Sequence, residues 1–322
     1  MRPPPACPEP ATDLERKLAD LPPLPAAVSE VLALDPAEAG YIGGLRHVAE
    51  RDPVFARHAI RCANSAFNPP ATPITSLHEA VLRLGPQQTA ALVLGLAVAR
   101  TFIPHSEPQR FLLIHSLQTA LFARMFCEGV PALSRIATQA FACGLLHDIG
   151  RFAQFEGAPE HMCKVDDRRW ASPELLEMER EALGYDHVLL GWKACKRWRL
   201  PAAVGEVVRR HHDRLPSASG KAPDLIQMVQ WADVLSVVLF RKPDLPFASP
   251  AELTQRLTAE YPAIASAMPA VTETSWHSRV AGVYAKSMQL AYELISFPAS
   301  EESRCGLAAR PGAMDASVLQ WA

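Results

Sequence analysis

A histidine and an aspartate stand side by side in residues 142–152, which read ACGLLHDIGRF. His147 and Asp148 follow two leucines, and the apolar neighbours predict a buried helix around them. Buried charged groups are rare unless they are paired or coordinate a metal ion. The pair is therefore interpreted either as metal ligands or as the remnant of a site that now only shapes a helix.

Other candidate ligands lie on, or at the ends of, separate predicted helices. They are His115 in LLIHSLQ, His187 in GYDHVLLG, His211 and His212 in VVRRHHD, and Asp233 in VQWADVLS. Divalent metals bind neutral imidazole nitrogens and carboxylate oxygens, and one carboxylate can bridge two ions about 3.5–4 Å apart. The inventory is sufficient for two sites that share Asp148 and could activate water for attack on a phosphoester. We assign His115, His147, Asp148 and Asp233 to one ion, and Asp148, His187, His211 and His212 to the other.

Each ligand also has an interpretation without metal. His187 follows Asp186 at a helix start, where capping would explain it, and the basic RRHH sequence suits the negative end of a helix dipole.

Cys143 lies four residues before His147, but adjacent turns of one helix rarely activate a thiolate. The segment KACKRWR, residues 193–199, is interpreted as a solvated helix face in preference to a phosphate-binding surface.

Composition restricts the classes of partner and the compartment. The chain has 322 residues, a net charge of −2 and 49% hydrophobic residues, which indicates a globular protein without a general attraction to nucleic acid or anionic membranes. Seven scattered cysteines without a C-x-x-C pair favour a reducing cytoplasm. The start of the chain does not resemble a signal peptide, and the apolar residues 90–99 are too few to span a bilayer. We expect a cytoplasmic protein with no nucleic-acid or membrane partner.

Helical periodicity dominates the sequence and predicts an all-α fold. Residues 14–105 are predicted to form an N-terminal helical subdomain, which packs on a second helical bundle over residues 106–240 that contains all the candidate ligands. A proline-rich break then leads to a helical appendage over residues 250–297. The lead-in, 1–13, is predicted to be disordered, and residues 298–322 are predicted to form a loose tail.

Several motifs, in order, resemble the HDOD domain, the HD-related output domain of bacterial signalling proteins. They are LPPLPAAVSEVLAL, DPVFARHAIRCANSAF, ITSLHEAVLRLG, ACGLLHDIGRF, LGYDHVLLGWKACKRWRLP and VVRRHHD, between residues 14 and 213. The resemblance implies an N-terminal helical subdomain on an HD-like bundle, and a regulatory role through signalling proteins rather than an established catalytic activity.

The second bundle is also similar to the HD superfamily of metal-dependent phosphohydrolases, whose metal-binding pattern carries over to all seven candidate ligands. The chain departs from the cyclic di-GMP phosphodiesterases of that superfamily, because Asp213 follows the histidine pair where they have Glu, and their Gly-Tyr-Pro loop is missing. Arg151 stands where a phosphate-contacting Lys is common, and Phe111 offers no carboxylate to a third ion.

Two functional hypotheses follow. The favoured one is a signal-transduction output module that acts through protein partners, and whether it retains a metal site is left open. The alternative is a phosphohydrolase, of phosphodiesterase or nucleotide-phosphatase type, with one or two Fe, Mn or Zn ions. His147, Asp148 and Arg151 would then be catalytic. The sequence leaves the oligomeric state open.

Overall fold

The computed structural model describes residues 10–64, 70–165, 173–213, 224–260, 262 and 274–295. Within these ranges the chain forms helices and short turns, with no β-strand, as the all-α prediction requires. The first helix begins at Pro10, inside the lead-in predicted to be disordered. Residues 1–9 and 296–322 lie outside the described residues, as does the loop over 214–223 that follows the histidine pair.

The helices follow one another in three groups. The N-terminal group contains α1 (Pro10–Asp20), α2 (Ala26–Ala33), α3 (Tyr41–Glu50), α4 (Pro53–Ala63) and α5 (Leu77–Thr101). The second group contains α6 (Glu107–Gly129), α7 (Ala137–Leu146), α8 (Ile149–Gly157), α9 (Pro159–Val165), α10 (Pro173–Leu183), α11 (His187–Arg197), α12 (Ala202–Arg210) and α13 (Leu225–Arg241). The last group contains α14 (Pro250–Glu260) and α15 (Thr274–Ile295).

Helix α6 is the central element of the second group. It packs against α7, α13 and α15, and every residue from Leu112 to Ala123 is buried. A helix that is buried on all sides can place a polar side chain only toward another polar group of the interior. His115, in the middle of α6, is therefore directed to a partner inside the protein.

Helix α5 is the other long apolar helix. By length and composition it is the one described helix that could cross a membrane, but 61% of its most apolar window is buried inside the protein. Its second half, from Thr89 to Ala99, lies in the main hydrophobic core, which also includes residues of α15. The apolar run over residues 90–99 is thus a core helix, as predicted.

Capping residues determine where the ligand-bearing helices begin. Ser106 and Gln109 form a reciprocal capping box at the start of α6, and Asp224 and Gln227 form another at the start of α13. The carboxylate of Asp186 accepts a hydrogen bond from the backbone N–H of Leu189 and caps α11. These caps set the register of three helices that carry candidate ligands.

The His147–Asp148 pair lies at a break between two helices, which corrects the expectation of a single continuous helix. Helix α7 ends at Leu146 and α8 begins at Ile149, with Asp148 at φ −98° and ψ 19°. The change of direction lets the two adjacent side chains point into the same interior space, which neighbouring positions of a regular helix cannot do.

Two glycines allow the helices around this break to approach at backbone distance. A Cβ atom added to Gly144 would lie 2.8 Å from the Cα of Ala120 in α6. A Cβ atom added to Gly150 would lie 1.9 Å from the carbonyl oxygen of His187, at the start of α11. The second contact brings Asp148 close to His187.

We predict that Gly150→Ala destabilises the protein by about 3 kcal/mol or more, because the added methyl group meets backbone rather than a movable side chain. Gly43→Ala in α3 is the matched control, since its Cβ would meet no atom within 4 Å. Urea denaturation compares the two unfolding midpoints. A Gly150→Ala midpoint equal to that of Gly43→Ala would contradict the close approach.

Candidate metal centre

The seven predicted ligands converge on one buried region of the second helical group, although they come from five parts of the chain. Six of them are buried, and His212 is partly exposed. They come from α6 (His115), the α7–α8 break (His147, Asp148), the start of α11 (His187), the turn after α12 (His211, His212) and α13 (Asp233).

Asp148 lies between two sets of histidines and presents a different oxygen to each. Its Oδ2 is 3.8 Å from Nε2 of His115 and 3.5 Å from Nε2 of His147. Its Oδ1 is 3.3 Å from Nε2 of His187 and 3.4 Å from Nε2 of His211. Each oxygen of Asp148 therefore faces a different set of histidines.

Asp233 and His212 complete the two sets. Oδ1 of Asp233 is 3.3 Å from Nε2 of His115 and 3.9 Å from Nε2 of His147. On the other side, Nε2 of His187 is 3.3 Å from Nε2 of His211 and 3.2 Å from Nε2 of His212. The two groups of side chains are those assigned to the two ions from the sequence.

Hydrogen bonds to the outer ring nitrogens determine the tautomers of three histidines. Nδ1 of His147 donates to the carbonyl of Gly144 (2.7 Å), and Nδ1 of His211 donates to that of Val208 (2.9 Å). Nδ1 of His187 donates to Oε2 of Glu179 (2.7 Å). Carbonyl and carboxylate oxygens only accept, so each neutral ring carries its hydrogen on Nδ1 and a lone pair on the inward Nε2.

His115 is oriented in the same way through a chain of two hydrogen bonds. The Ser236 hydroxyl donates to Oε1 of Gln118 (2.9 Å), so its oxygen accepts from Nδ1 of His115 (3.0 Å). The Nε2 lone pair of His115 therefore also faces the carboxylates.

The interior of the cluster is consequently lined by acceptors. Lone pairs of Nε2 atoms face ionised oxygens at 3.3–3.9 Å, an arrangement that is repulsive until a cation lies among them. Ligand atoms bound at about 2.1 Å to one zinc-like ion are themselves roughly 3.0–3.4 Å apart. The separations around His187 fall in this range, so the donor set fits a divalent metal ion.

Burial and neighbouring charges hold the titratable groups near the protonation states that metal binding requires. Burial lowers the pKa of His147 to about 4, and burial together with His211 lowers the pKa of His212 well below its ordinary value. Burial alone would raise the pKa of Asp148, but the surrounding histidines outweigh it and hold this pKa well below the ordinary range. Two neutral imidazoles and an ionised carboxylate result.

His187 is the exception among these histidines. Burial acts to lower its pKa, but Glu179 outweighs burial and raises the pKa above the ordinary value. Without a metal ion, a proton on Nε2 of His187 can supply the positive charge that the cluster needs. A metal ion would displace that proton.

Glu179 in α10 is a site residue that the sequence interpretation missed. It is fully buried, and its Oε2 accepts hydrogen bonds from both Nδ1 (2.7 Å) and the backbone N–H (2.8 Å) of His187. The sequence contained a weak signal, because a spacing of four residues places Glu179 on the same helix face as the apolar Leu175. In the structure Leu175 is buried, and Glu179 is buried with it.

Arg151, predicted to contact phosphate, is fully buried between two carboxylates. Its guanidinium lies 3.8 Å from Oδ2 of Asp148 and 4.0 Å from Oε1 of Glu179. The guanidinium can therefore balance part of the negative charge that the two carboxylates bring into the interior.

Two other candidates from the sequence have structural explanations. Burial raises the pKa of Cys143, and Nδ1 of neighbouring His147 already donates to Gly144, so the structure does not favour a thiolate nucleophile. In the basic segment, Nζ of Lys196 stacks 3.6 Å above the Trp192 ring, and Nε1 of Trp198 donates to the carbonyl of Pro22. These contacts favour the solvated-face interpretation.

Comparison with solved structures finds proteins of the same fold. A protein from Shewanella amazonensis named as a phosphohydrolase aligns with a TM-score of 0.63 and 22% identity over 88% of this chain and 98% of its own. An HDOD domain protein of unknown function from Geobacter sulfurreducens aligns with a TM-score of 0.61 and 20% identity over 88% and 97% of the two chains. At these identities the similarity establishes the fold alone.

Among curated proteins, an uncharacterized protein of Treponema pallidum is 23% identical over 227 residues, or 70% of this chain. The matched region spans only 44% of that protein's length. The sequence profile of the HDOD domain matches residues 21–214, which is more than half of the chain and includes six of the seven candidate ligands. With the all-helical fold and the order of its motifs, the chain belongs to the HDOD family.

Proposed function

We propose that this HDOD protein binds two divalent metal ions around Asp148 and uses them to hydrolyse a phosphoester. The observation that carries the proposal is the acceptor-lined cluster, in which inward Nε2 atoms from two sets of histidines face the two oxygens of one buried carboxylate. Two solved proteins of this fold from Shewanella amazonensis are named as a phosphohydrolase and as a metal-dependent phosphohydrolase, which supports the same chemistry.

The residues would divide between the ions as the distances suggest. His115, His147 and Asp233 would hold one ion, His187, His211 and His212 the other, and Asp148 would contribute one oxygen to each. Mixed imidazole and carboxylate ligands suit Fe, Mn or Zn. Divalent ions held by these residues would supply Lewis acidity and would lower the pKa of water.

The protein's own side chains would orient the site and limit the access of bulk water. Carbonyl and carboxylate acceptors hold the histidine rings, and Nε2 of Gln230 donates to the carbonyls of Arg210 and Asp213, fixing the turn that carries His211 and His212. Arg151 would hold Asp148 and Glu179 in place from its buried position between them, and the phosphate contact expected of it from the sequence stays a prediction. Partly exposed His212 marks the side from which a substrate would approach.

A regulatory function is the second candidate, and the burial of the ligands favours it. With six of seven ligands buried, the ions could serve mainly to cross-link α6, α11 and α13 in an output module that binds signalling proteins. A Marinobacter aquaeolei protein of the same fold, with a TM-score of 0.57, is named as a signal transduction protein. We propose the cytoplasm as the compartment for either function, since Cys62, Cys127, Cys143 and Cys195 are free thiols.

The first prediction of this proposal concerns metal content. Protein purified without a metal-chelating tag should contain about two ions per chain, as expected for a dinuclear site. Asp148→Asn should lose most of this metal, because it removes the shared charge. Asp213→Asn, an exposed carboxylate directly after His212, should retain it. Elemental analysis by mass spectrometry gives the ratio; a folded wild type that stays metal-free when supplied with Fe, Mn and Zn would refute the proposal.

The second prediction separates the two functions. The metal-loaded wild type should hydrolyse at least one substrate in a panel of nitrophenyl phosphates, cyclic nucleotides and nucleoside monophosphates, whereas Asp148→Asn should not. Phosphate or nitrophenol release is measured at matched protein concentration, with Asp213→Asn as control. Full metal loading without any turnover would reject hydrolysis of these substrates and favour the regulatory function.

The third prediction tests Glu179 as a positioning residue. Glu179→Gln should weaken metal affinity by about 10–100-fold, since it removes the negative charge that orients and polarises His187. Glu177→Gln, an exposed position on the same helix, should bind metal like the wild type. Competition with a fluorescent zinc chelator measures both affinities. Equal affinities in a folded Glu179→Gln variant would show that Glu179 has no such role.

A further inference from the structure

A second concave site lies at the junction of the N-terminal helices, α6 and α15. Its volume is about 630 Å³, within the usual range for small-molecule sites. The end of α4, the bend of α5, the C-terminal part of α6 and one face of α15 form its walls. We call it the basic groove and define it by Arg83, Gln87, Arg124, Gly282, Lys286 and Gln289.

The basic groove has an excess of positive charge in a chain of net charge −2. Arg83, Arg124 and Lys286 line it, together with one carboxylate, that of Glu128. Glu128 is already shared between Arg124 (3.7 Å) and Arg279 (3.2 Å). Three cationic side chains against one carboxylate leave the lining with a net positive charge, which favours an anionic ligand.

The two arginines of the groove are held in place by backbone acceptors. Nε of Arg83 donates to the carbonyl of Ala63 (3.1 Å), and Nη1 of Arg124 donates to the carbonyl of Gln87 (3.3 Å). Gln87 lies just beyond the bend of α5, where Gly85 adopts φ +76°. The bend therefore brings a carbonyl and two guanidinium groups to one cavity. Because these side chains are already held in place, a ligand that binds them costs less conformational entropy.

Small residues of helix α15 face the cavity and leave space in it. Gly282, Ala285, Lys286 and Gln289 recur at intervals of three and four residues and share one face of the helix. The first two are small, and a Cβ atom added to Gly282 would meet no atom within 4 Å. Leu84 and Leu290 add apolar surface, and the glutamines add neutral hydrogen-bonding groups.

From this combination we infer that the basic groove binds a small organic anion with phosphate groups and an apolar or heterocyclic body. The groove is separate from the metal centre, because Arg124 lies nine residues beyond His115, about 13 Å along α6. Both sites share that helix, so a bound anion would contact the element that carries His115. This inference does not depend on metal binding or hydrolysis.

Isothermal titration calorimetry with adenosine triphosphate, pyrophosphate and citrate tests the inference, in the wild type and in Asp148→Asn. At least one phosphate probe should bind both proteins. Equal binding to Asp148→Asn would show that the probe does not need the metal centre. Arg83→Glu with Lys286→Glu should weaken binding by about tenfold or more. The matched charge reversal is Lys196→Glu with Arg209→Glu, on helices that do not line the groove. This control should bind the probe as tightly as the wild type.

A steric pair of variants gives an independent readout. Gly282→Trp should fill the cavity and abolish binding, whereas Gly282→Ala should bind like the wild type. The inference is overturned if none of the probes binds, if citrate alone binds, or if the Trp variant and the Arg83/Lys286 reversal bind as tightly as the wild type. Binding that disappears in Asp148→Asn would assign the anion to the metal centre instead.

Discussion

The negative charge of Asp148, buried among histidines, is the constraint around which the second helical group is organised. An ionised carboxylate with 3% of its surface exposed requires compensation from the surrounding protein. The guanidinium of Arg151 and a proton on Nε2 of His187 would provide part of that compensation, and a cation held among the inward Nε2 atoms on both sides would provide the rest. No single helix could supply these partners, so α6, α8, α11, α12 and α13 must meet at one point.

Small residues and outer hydrogen bonds make this meeting possible. Gly144 lets α7 approach α6, and Gly150 lets α8 approach α11, at distances that a methyl group would prevent. Around the centre, the acceptors of the outer ring nitrogens direct the Nε2 atom of each histidine inward, and in the neutral rings that atom carries a lone pair. For His147 and His211 these acceptors are backbone carbonyls of the preceding helices, α7 and α12. The ends of those helices therefore orient the two rings directly.

The metal centre and the basic groove use α6 in different ways. The middle of this helix is buried and contributes His115, whereas its C-terminal part reaches the groove with Arg124 and Glu128. Because one helix contributes residues to both, α6 is the direct physical connection between the two regions. Such a connection would require two arrangements of α6 that the sites favour differently.

Much of the protein followed from the sequence alone because it depends on local patterns. The helical period predicted the all-α fold, and the types and order of seven residues predicted both sets that surround Asp148. The metal function assigned to them stays a prediction. The sequence did not reveal the break at His147–Asp148, since the apolar pattern continues through it, and the close approach of Gly150 to α11 on the far side of the break is a contact between distant parts of the chain.

Glu179, Ser236 and Gln118 were not identified from the sequence, because each acts through a partner at least eight positions away along the chain. The same holds for the basic groove, whose cations come from helices far apart in the chain. Residue types determine which chemistry is available, and local periodicity determines the helices. Which oxygen faces which nitrogen, and which nitrogen keeps its proton, are decided only when distant helices pack together.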